Sequence, residues 1–202
     1  MTVTPPDFDA MYAADPDPWE VASSWYEQRK LGIVLAGLRR PSYGLVWDAA
    51  CGTGELAARI APRCETVVAT DASAAAVELS RRRVAQAAAS NVTVARNALP
   101  GRPEVLRGVP DLVVLSEVLY YLDAPQRAAT WRLVAALAGP VTDVVAVHWR
   151  PRPEDGYRSG EAVQRELNDV LVDAGWYRVV THTDVEFVMA CWSPDVPRTL
   201  GR

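Results

Sequence analysis

Two carboxylates and a run of small residues carry the most specific chemistry in the chain. Asp48 ends the apolar stretch Leu45-Val46-Trp47, and Ala49-Ala50-Cys51-Gly52-Thr53-Gly54 follows it directly. From Gly52 the run reads G-x-G-x-x-A (Gly52, Gly54, Ala57), and Asp71 closes the next apolar stretch. That is the pattern of a site where backbone N–H groups meet a pyrophosphate and an acid holds a ribose diol. Asp48 argues against a phosphate, because only N–H groups and a helix N-terminus would offset the repulsion between two like charges. A cationic ligand is favoured by the same carboxylate. Small residues at Ala50, Gly52 and Gly54 let the backbone approach such a ligand closely.

Other groups able to hold charge or move a proton stand farther along the chain. Glu117, Tyr120 and Tyr121 follow the apolar run Leu112-Val113-Val114-Leu115-Ser116, and His148 closes another. Lys30 is the only lysine among 21 basic residues. Cys51 resembles a nucleophile only out of context, since inside a glycine turn it reads as a small packing residue. His182 falls within a late strand, away from the rim where the other candidates gather.

These residues need elements that bring them together. Residues 1–20, rich in Pro and Asp, read as an arm or lid without regular structure. From Trp19 the chain turns amphipathic, with Trp25, Tyr26, Lys30, Ile33 and Val34 in a helical pattern that ends before Pro41. Strands over residues 45–48, 65–70, 92–96, 112–116 and 143–149 then alternate with helices over 54–61, 73–89, 125–137 and 160–174. Ser73 reads as an N-cap, Pro125 lies in a first turn, and Gly139 and Gly175 lie beyond helix ends. Residues 177–184 and 186–193 are two strands joined too tightly for a parallel crossover, so they form an antiparallel hairpin. Alternation of this kind builds an α/β fold with a seven-stranded, mostly parallel sheet and helices on both faces.

With 202 residues, 50% hydrophobic and 23% charged, the chain reads as one domain over residues 1–202. Residues 1–40 form the arm and its helix, and 41–202 the core. No apolar run approaches the roughly 18 residues of a membrane span, and the first thirty residues carry six acidic groups, so export and membrane insertion are disfavoured. Cys51, Cys64 and Cys191 lack Cys-x-x-Cys spacing, which supports neither a disulfide framework nor a metal site and makes the cytoplasm the expected compartment. A net charge of -4 argues against nucleic acid as partner, with Arg81-Arg82-Arg83 read as a solvated helix face. A monomer or homodimer acting on a small molecule is expected.

S-adenosylmethionine has the ligand properties that Asp48 and Asp71 ask for: a sulfonium and an ammonium, no phosphate, and a ribose diol. At this point the residues resemble the class I S-adenosylmethionine-dependent methyltransferases over nearly the whole chain, which implies a Rossmann-like fold and S-adenosylhomocysteine as product. Asp48 to Gly54 resembles the family's first motif, with Ala50 where its first glycine usually stands. Thr70-Asp71-Ala72 resembles the ribose motif. Asn97-Ala98-Leu99 occupies the place of an acid near the adenine amine, and the segment from Pro110 to Leu122 resembles the fourth motif. Phe8 to Trp19, Trp25-Tyr26-Glu27-x-x-Lys30 and Ser116 to Leu122 resemble more narrowly the nodulation protein S-like N-methyltransferases, which act on the free amine of a deacetylated chitooligosaccharide.

The resemblance implies N-methylation of an amino sugar or a similar amine; O-methylation of a small molecule and non-catalytic binding of S-adenosylmethionine stand as alternatives. An NAD-dependent oxidoreductase is a further alternative, disfavoured by Asp48. Asp71 and Ala72 would hold the ribose, Asn97 and Ala98 the adenine, and Asp48, Ala50, Gly52, Gly54 and Ser116 the methionine end. Trp19, Trp25 and Tyr26 would form a lid, and Lys30 would meet the ligand carboxylate. An amine must be neutral to attack, so Glu117, Tyr120 and above all His148, as candidate base, are expected to face the acceptor.

Overall fold

The computed structural model describes residues 6–195. After two short helices, α1 (Phe8–Ala14) and α2 (Trp25–Gly37), strands and helices alternate: β1 (Tyr43–Asp48), α3 (Glu55–Ile60), β2 (Cys64–Asp71), α4 (Ala74–Gln86) and β3 (Val92–Arg96). β4 (Leu112–Ser116), α5 (Ala124–Leu137), β5 (Asp143–Trp149), α6 (Gly160–Asp173), β6 (Tyr177–Thr183) and β7 (Phe187–Ser193) follow among the described residues. The sheet has the order β3-β2-β1-β4-β5-β7-β6. The first five strands pair in parallel, and β7 enters antiparallel between β5 and β6. The expected seven-stranded sheet and its closing hairpin are both present.

Apolar runs make the central strands because both faces are covered. Val46, Val67, Val114 and Val145 pack on one face with Leu31 and Val34 of α2 and Leu56 and Ile60 of α3. Trp47, Val68, Val113, Leu115 and Ala146 pack on the other with Trp131 and Val134 of α5 and Val163 and Leu167 of α6. Each strand thus sends alternate residues into two separate cores. Away from the carboxyl ends of the strands, the fully buried Asp143 is matched by Arg39, Arg40 and the Tyr43 hydroxyl.

The arm departs from expectation. Phe8–Ala14 is a helix, because the Pro and Asp residues lie on either side of Phe-Asp-Ala-Met-Tyr-Ala-Ala and Asp7 caps it by accepting from the Ala10 N–H at 3.0 Å. The second helix starts at Trp25 rather than Trp19. Asp17 accepts from the N–H groups of Val21 and Ala22, and Glu20 adopts a φ of 52°, so the chain turns there before the helix begins. Residues 1–5 of the expected arm and 196–202 of the expected domain lie outside the described residues.

Candidate functional site

The strand order places the carboxyl ends of β3, β2, β1, β4 and β5 side by side. Neighbouring strands lie about 4.8 Å apart, so the row they form is about 19 Å long. Asn97, Asp71, Asp48, the pair Ser116–Glu117 and Trp149 mark successive positions along it. Order reverses between β1 and β4, where open α/β sheets open a crevice. A cavity of about 730 Å³ lies over this row.

Asp48 is 1% exposed, and neither of its carboxylate oxygens has a hydrogen-bond partner among the described residues. Burial, with the charge of Asp71 second, raises its carboxyl to about 7. A buried carboxylate with no partner is costly, and a cation seated in the cavity would relieve that cost. Asp71 is different. Its two oxygens accept from the Gly52 and Ser73 N–H groups, each at 2.9 Å, and each keeps a lone pair for a ligand. Burial raises the Asp71 carboxyl against the opposing effect of those bonds.

Both glycines of the turn are required by geometry. Gly52 has φ 52° and a Cβ there would stand 2.9 Å from the Tyr12 hydroxyl; Gly54 has φ 82° and a Cβ would meet the Cα of Ser80 at 3.0 Å. Gly54 therefore serves the packing of α4 on the turn and does not line the cavity. Asn97 gives its amide N–H to the Gly101 carbonyl at 2.8 Å, which leaves its oxygen free to accept. Cys51 is buried, its thiol pushed well up by burial, as suits a packing residue.

The arm closes one side. Asp9 accepts from the Ser73 hydroxyl at 2.7 Å and the Ala75 N–H at 3.1 Å, pinning α1 to the first turn of α4. Phe8 meets Tyr121 edge-on at 5.1 Å, and Tyr12 meets Trp19 edge-on at 5.6 Å. Trp19, Ala50, Ala72, Ala98 and Ser116 all line the cavity, as do Phe8, Met11 and Tyr12, which sequence reasoning missed. The signal for Tyr12 was its place in a capped apolar turn between two Pro-Asp clusters. Trp25, expected in the lid, is 78% exposed and does not line the cavity, since its position on α2 faces outward.

At the β4–β5 end stands a network of charged groups. Glu117 holds φ 54°, a conformation costing about 1–3 kcal/mol for a non-glycine residue. Its Oε1 meets the Lys30 ammonium at 2.5 Å, and its Oε2 accepts from the Tyr120 hydroxyl and, at 2.9 Å, from the Trp149 N–H. Burial pushes the Glu117 carboxyl up, but Lys30 and the hydrogen bonds outweigh it and hold the group below the ordinary range. Lys30 is 4% exposed and also meets Glu27 at 2.8 Å. Its charge is therefore already matched by two carboxylates, which corrects the expectation of a free cation for a ligand carboxylate.

His148 is likewise corrected. It is fully buried and absent from the cavity wall. Gln164 donates its amide N–H to the Ala146 carbonyl, so its oxygen faces His148 Nδ1 at 3.1 Å and Nδ1 is the donor; Nε2 accepts from the Leu119 N–H at 3.4 Å. Burial pushes the imidazole down to about 4. A neutral histidine with both nitrogens occupied braces the turn after β4 and has no route to an acceptor.

The fold and site define a Rossmann-like domain with an unpartnered buried carboxylate, Asp48, in the wall of its crevice. Residues 46–140 match the family model described as a methyltransferase domain. A methyltransferase structure from Pseudomonas syringae is 32% identical, with 84% of this chain and 99% of that one covered and a TM-score of 0.69. Nodulation protein S of Sinorhizobium fredii is 28% identical over 78% of this chain and 73% of its own length. The N-methyltransferase NodS of Bradyrhizobium japonicum, solved with S-adenosylhomocysteine, shares the fold at 19% identity and TM-score 0.77, over 91% of this chain and 94% of that one. The chain belongs to the methyltransferases. Among the described residues, no helix is long and apolar enough to cross a membrane.

Proposed function

We propose that the protein transfers a methyl group from S-adenosylmethionine to the amine of a small molecule, with amino sugars the first class to test. The charge balance at the β4–β5 end of the cavity carries this reading. Two carboxylates, Glu27 and Glu117, stand there against the single cation Lys30, an arrangement that favours a positively charged acceptor over a neutral or anionic one. The likeness to nodulation protein S and to an N-methyltransferase supports it. The protein is proposed to act in the cytoplasm as a monomer or homodimer, without nucleic acid.

In this reading Asp48 receives the ammonium of the methionine end, beside the Gly52 turn, Ala50 and Ser116. Asp71 accepts from the ribose hydroxyls with Ala72 alongside, and Asn97 accepts from the adenine amine beside Ala98. S-adenosylmethionine supplies, when bound, a methyl carbon made electrophilic by its sulfonium. The chain's own residues position the acceptor nitrogen within about 3–3.5 Å of it and exclude water, Trp19 and Tyr12 closing the arm side. Glu117 and Tyr120 act as a fixed, hydrogen-bonded anion that draws the acceptor in.

The test is calorimetric titration with S-adenosylmethionine, S-adenosylhomocysteine and NAD, followed by methyl-transfer assays on glucosamine oligomers and their N-acetylated counterparts. Binding of the first two without NAD, and transfer only to free amines, is the expected result. Transfer to the acetylated oligomer would move the reading to O-methylation, and binding without transfer to any acceptor would favour a sensor.

A further inference from the structure

We infer that Glu27 is the proton acceptor of the reaction, taking one proton from the acceptor ammonium as it enters the site; the assignment rests on the amine reading above. The ammonium N–H bond breaks with its electron pair left on nitrogen, and an O–H bond forms at Glu27 Oε2. Glu27 returns the proton to solvent once the product has left.

The sequence alone gives Glu27 a duller role. Ser24-Trp25-Tyr26-Glu27 opens α2 with the S-x-x-E pattern of a capping box, in which the glutamate bonds back to the N-cap N–H. The structure does not use it that way. The Ser24 side chain makes no cap hydrogen bond, and its N–H donates to the Glu20 carbonyl at 2.8 Å instead. The corresponding box at α5, between Asp123 and Gln126, is fully formed. Glu27 is thus diverted from its helix end to the wall of the cavity.

There it is 8% exposed. Oε1 accepts from Lys30 at 2.8 Å, and Oε2 accepts from nothing among the described residues. Burial raises its carboxyl, although Lys30 draws it back. Lys30, Glu117, Asp17 and Tyr26 are the charged or titratable groups that act on it. The other candidates at this end are spent: Glu117 is held as an anion by three donors and His148 has no free nitrogen. At this end of the cavity, and among the described residues, Glu27 alone combines an unused acceptor oxygen, raised proton affinity and a place on the wall, which are the requirements of a general base; Asp48 shares them but stands at the end of β1, where the proposed reading gives it the ligand's ammonium.

Two measurements test this. The first follows glutamate carboxyl ¹³C signals with pH in the S-adenosylhomocysteine-loaded protein. One signal, missing from Glu27→Gln, is expected to titrate above the usual range and to shift when glucosamine is added. The second compares methyl transfer to glucosamine across pH. Glu27→Gln is expected to lose roughly 10²–10⁴-fold below the amine's own pKa, with unchanged S-adenosylhomocysteine affinity. That deficit shrinks as pH rises and free amine appears without help, and Glu27→Asp recovers part of the rate. A deficit equal at every pH, or a Glu27 carboxyl titrating in the ordinary range, overturns the assignment and leaves the amine reading standing. Absence of transfer from the wild-type enzyme to glucosamine at any pH overturns both.

Discussion

Asp48 is costly to the empty protein and, in the proposed reading, useful to the loaded one. Its carboxyl is raised from 3.8 to about 7, so between those values the folded state holds more protons than the unfolded state. Stability of the empty protein therefore falls as pH rises through that window. A bound ammonium reverses the preference, because it requires the ionised form. The affinity for S-adenosylhomocysteine is expected to fall about tenfold for each pH unit below about 7, as one proton must leave Asp48 on binding. Asp48→Asn should bind more weakly at neutral pH and lose the slope, which calorimetry across this range measures directly. A flat profile in the wild-type protein would mean that Asp48 does not meet the cation. Asp48 could be read from sequence because its neighbours in the chain fix its place at a strand end. The state of His148 could not, since Gln164 and the Leu119 N–H reach it from other elements. The same holds for Lys30, whose two partners include Glu117 from across the fold.

The elements were legible wherever burial on two faces left a continuous apolar run, as at β4 and β5. The insertion of β7 between β5 and β6 depends on pairing between distant segments, yet composition carries its trace. β7 is buried throughout, whereas β6, with Arg178 and His182, is largely exposed and suits an edge. The arm was misread because its Pro and Asp content masked a two-turn helix that gains stability from Asp9 on α4 and Tyr12 over Gly52. Isolated helices of that length do not persist in water, so α1 depends on its docking site. A ligand filling the cavity adds contacts with Phe8, Met11, Tyr12 and Trp19. S-adenosylhomocysteine is accordingly expected to slow proteolysis within residues 8–30, read by mass spectrometry of limited digests. Identical cleavage with and without it would show that the arm is not a lid.

At the scale of the whole molecule, one sheet serves two cores and one row of proposed ligand groups. Because the central strands contribute to both cores and the arm docks on α4, no segment of the described residues has an apolar core of its own. The described residues are therefore expected to unfold in a single cooperative transition. Asn97, Asp71, Asp48 and Glu117 stand at the ends of four strands, so unfolding disperses them, and in the proposed reading only the folded state is expected to bind. S-adenosylhomocysteine at a hundred times its dissociation constant should add about 2.7 kcal/mol. For a chain of this size that corresponds to a rise in melting temperature of roughly 5–11 °C. NAD at the same concentration should add nothing, since its pyrophosphate would face Asp48 without a cation to offset it. Differential scanning calorimetry with each ligand separates the cases. Two transitions, only one of them moved by S-adenosylhomocysteine, would mean that the arm or the hairpin folds apart from the ligand row; a shift with NAD would mean that the Asp48 carboxylate does not govern what the crevice accepts.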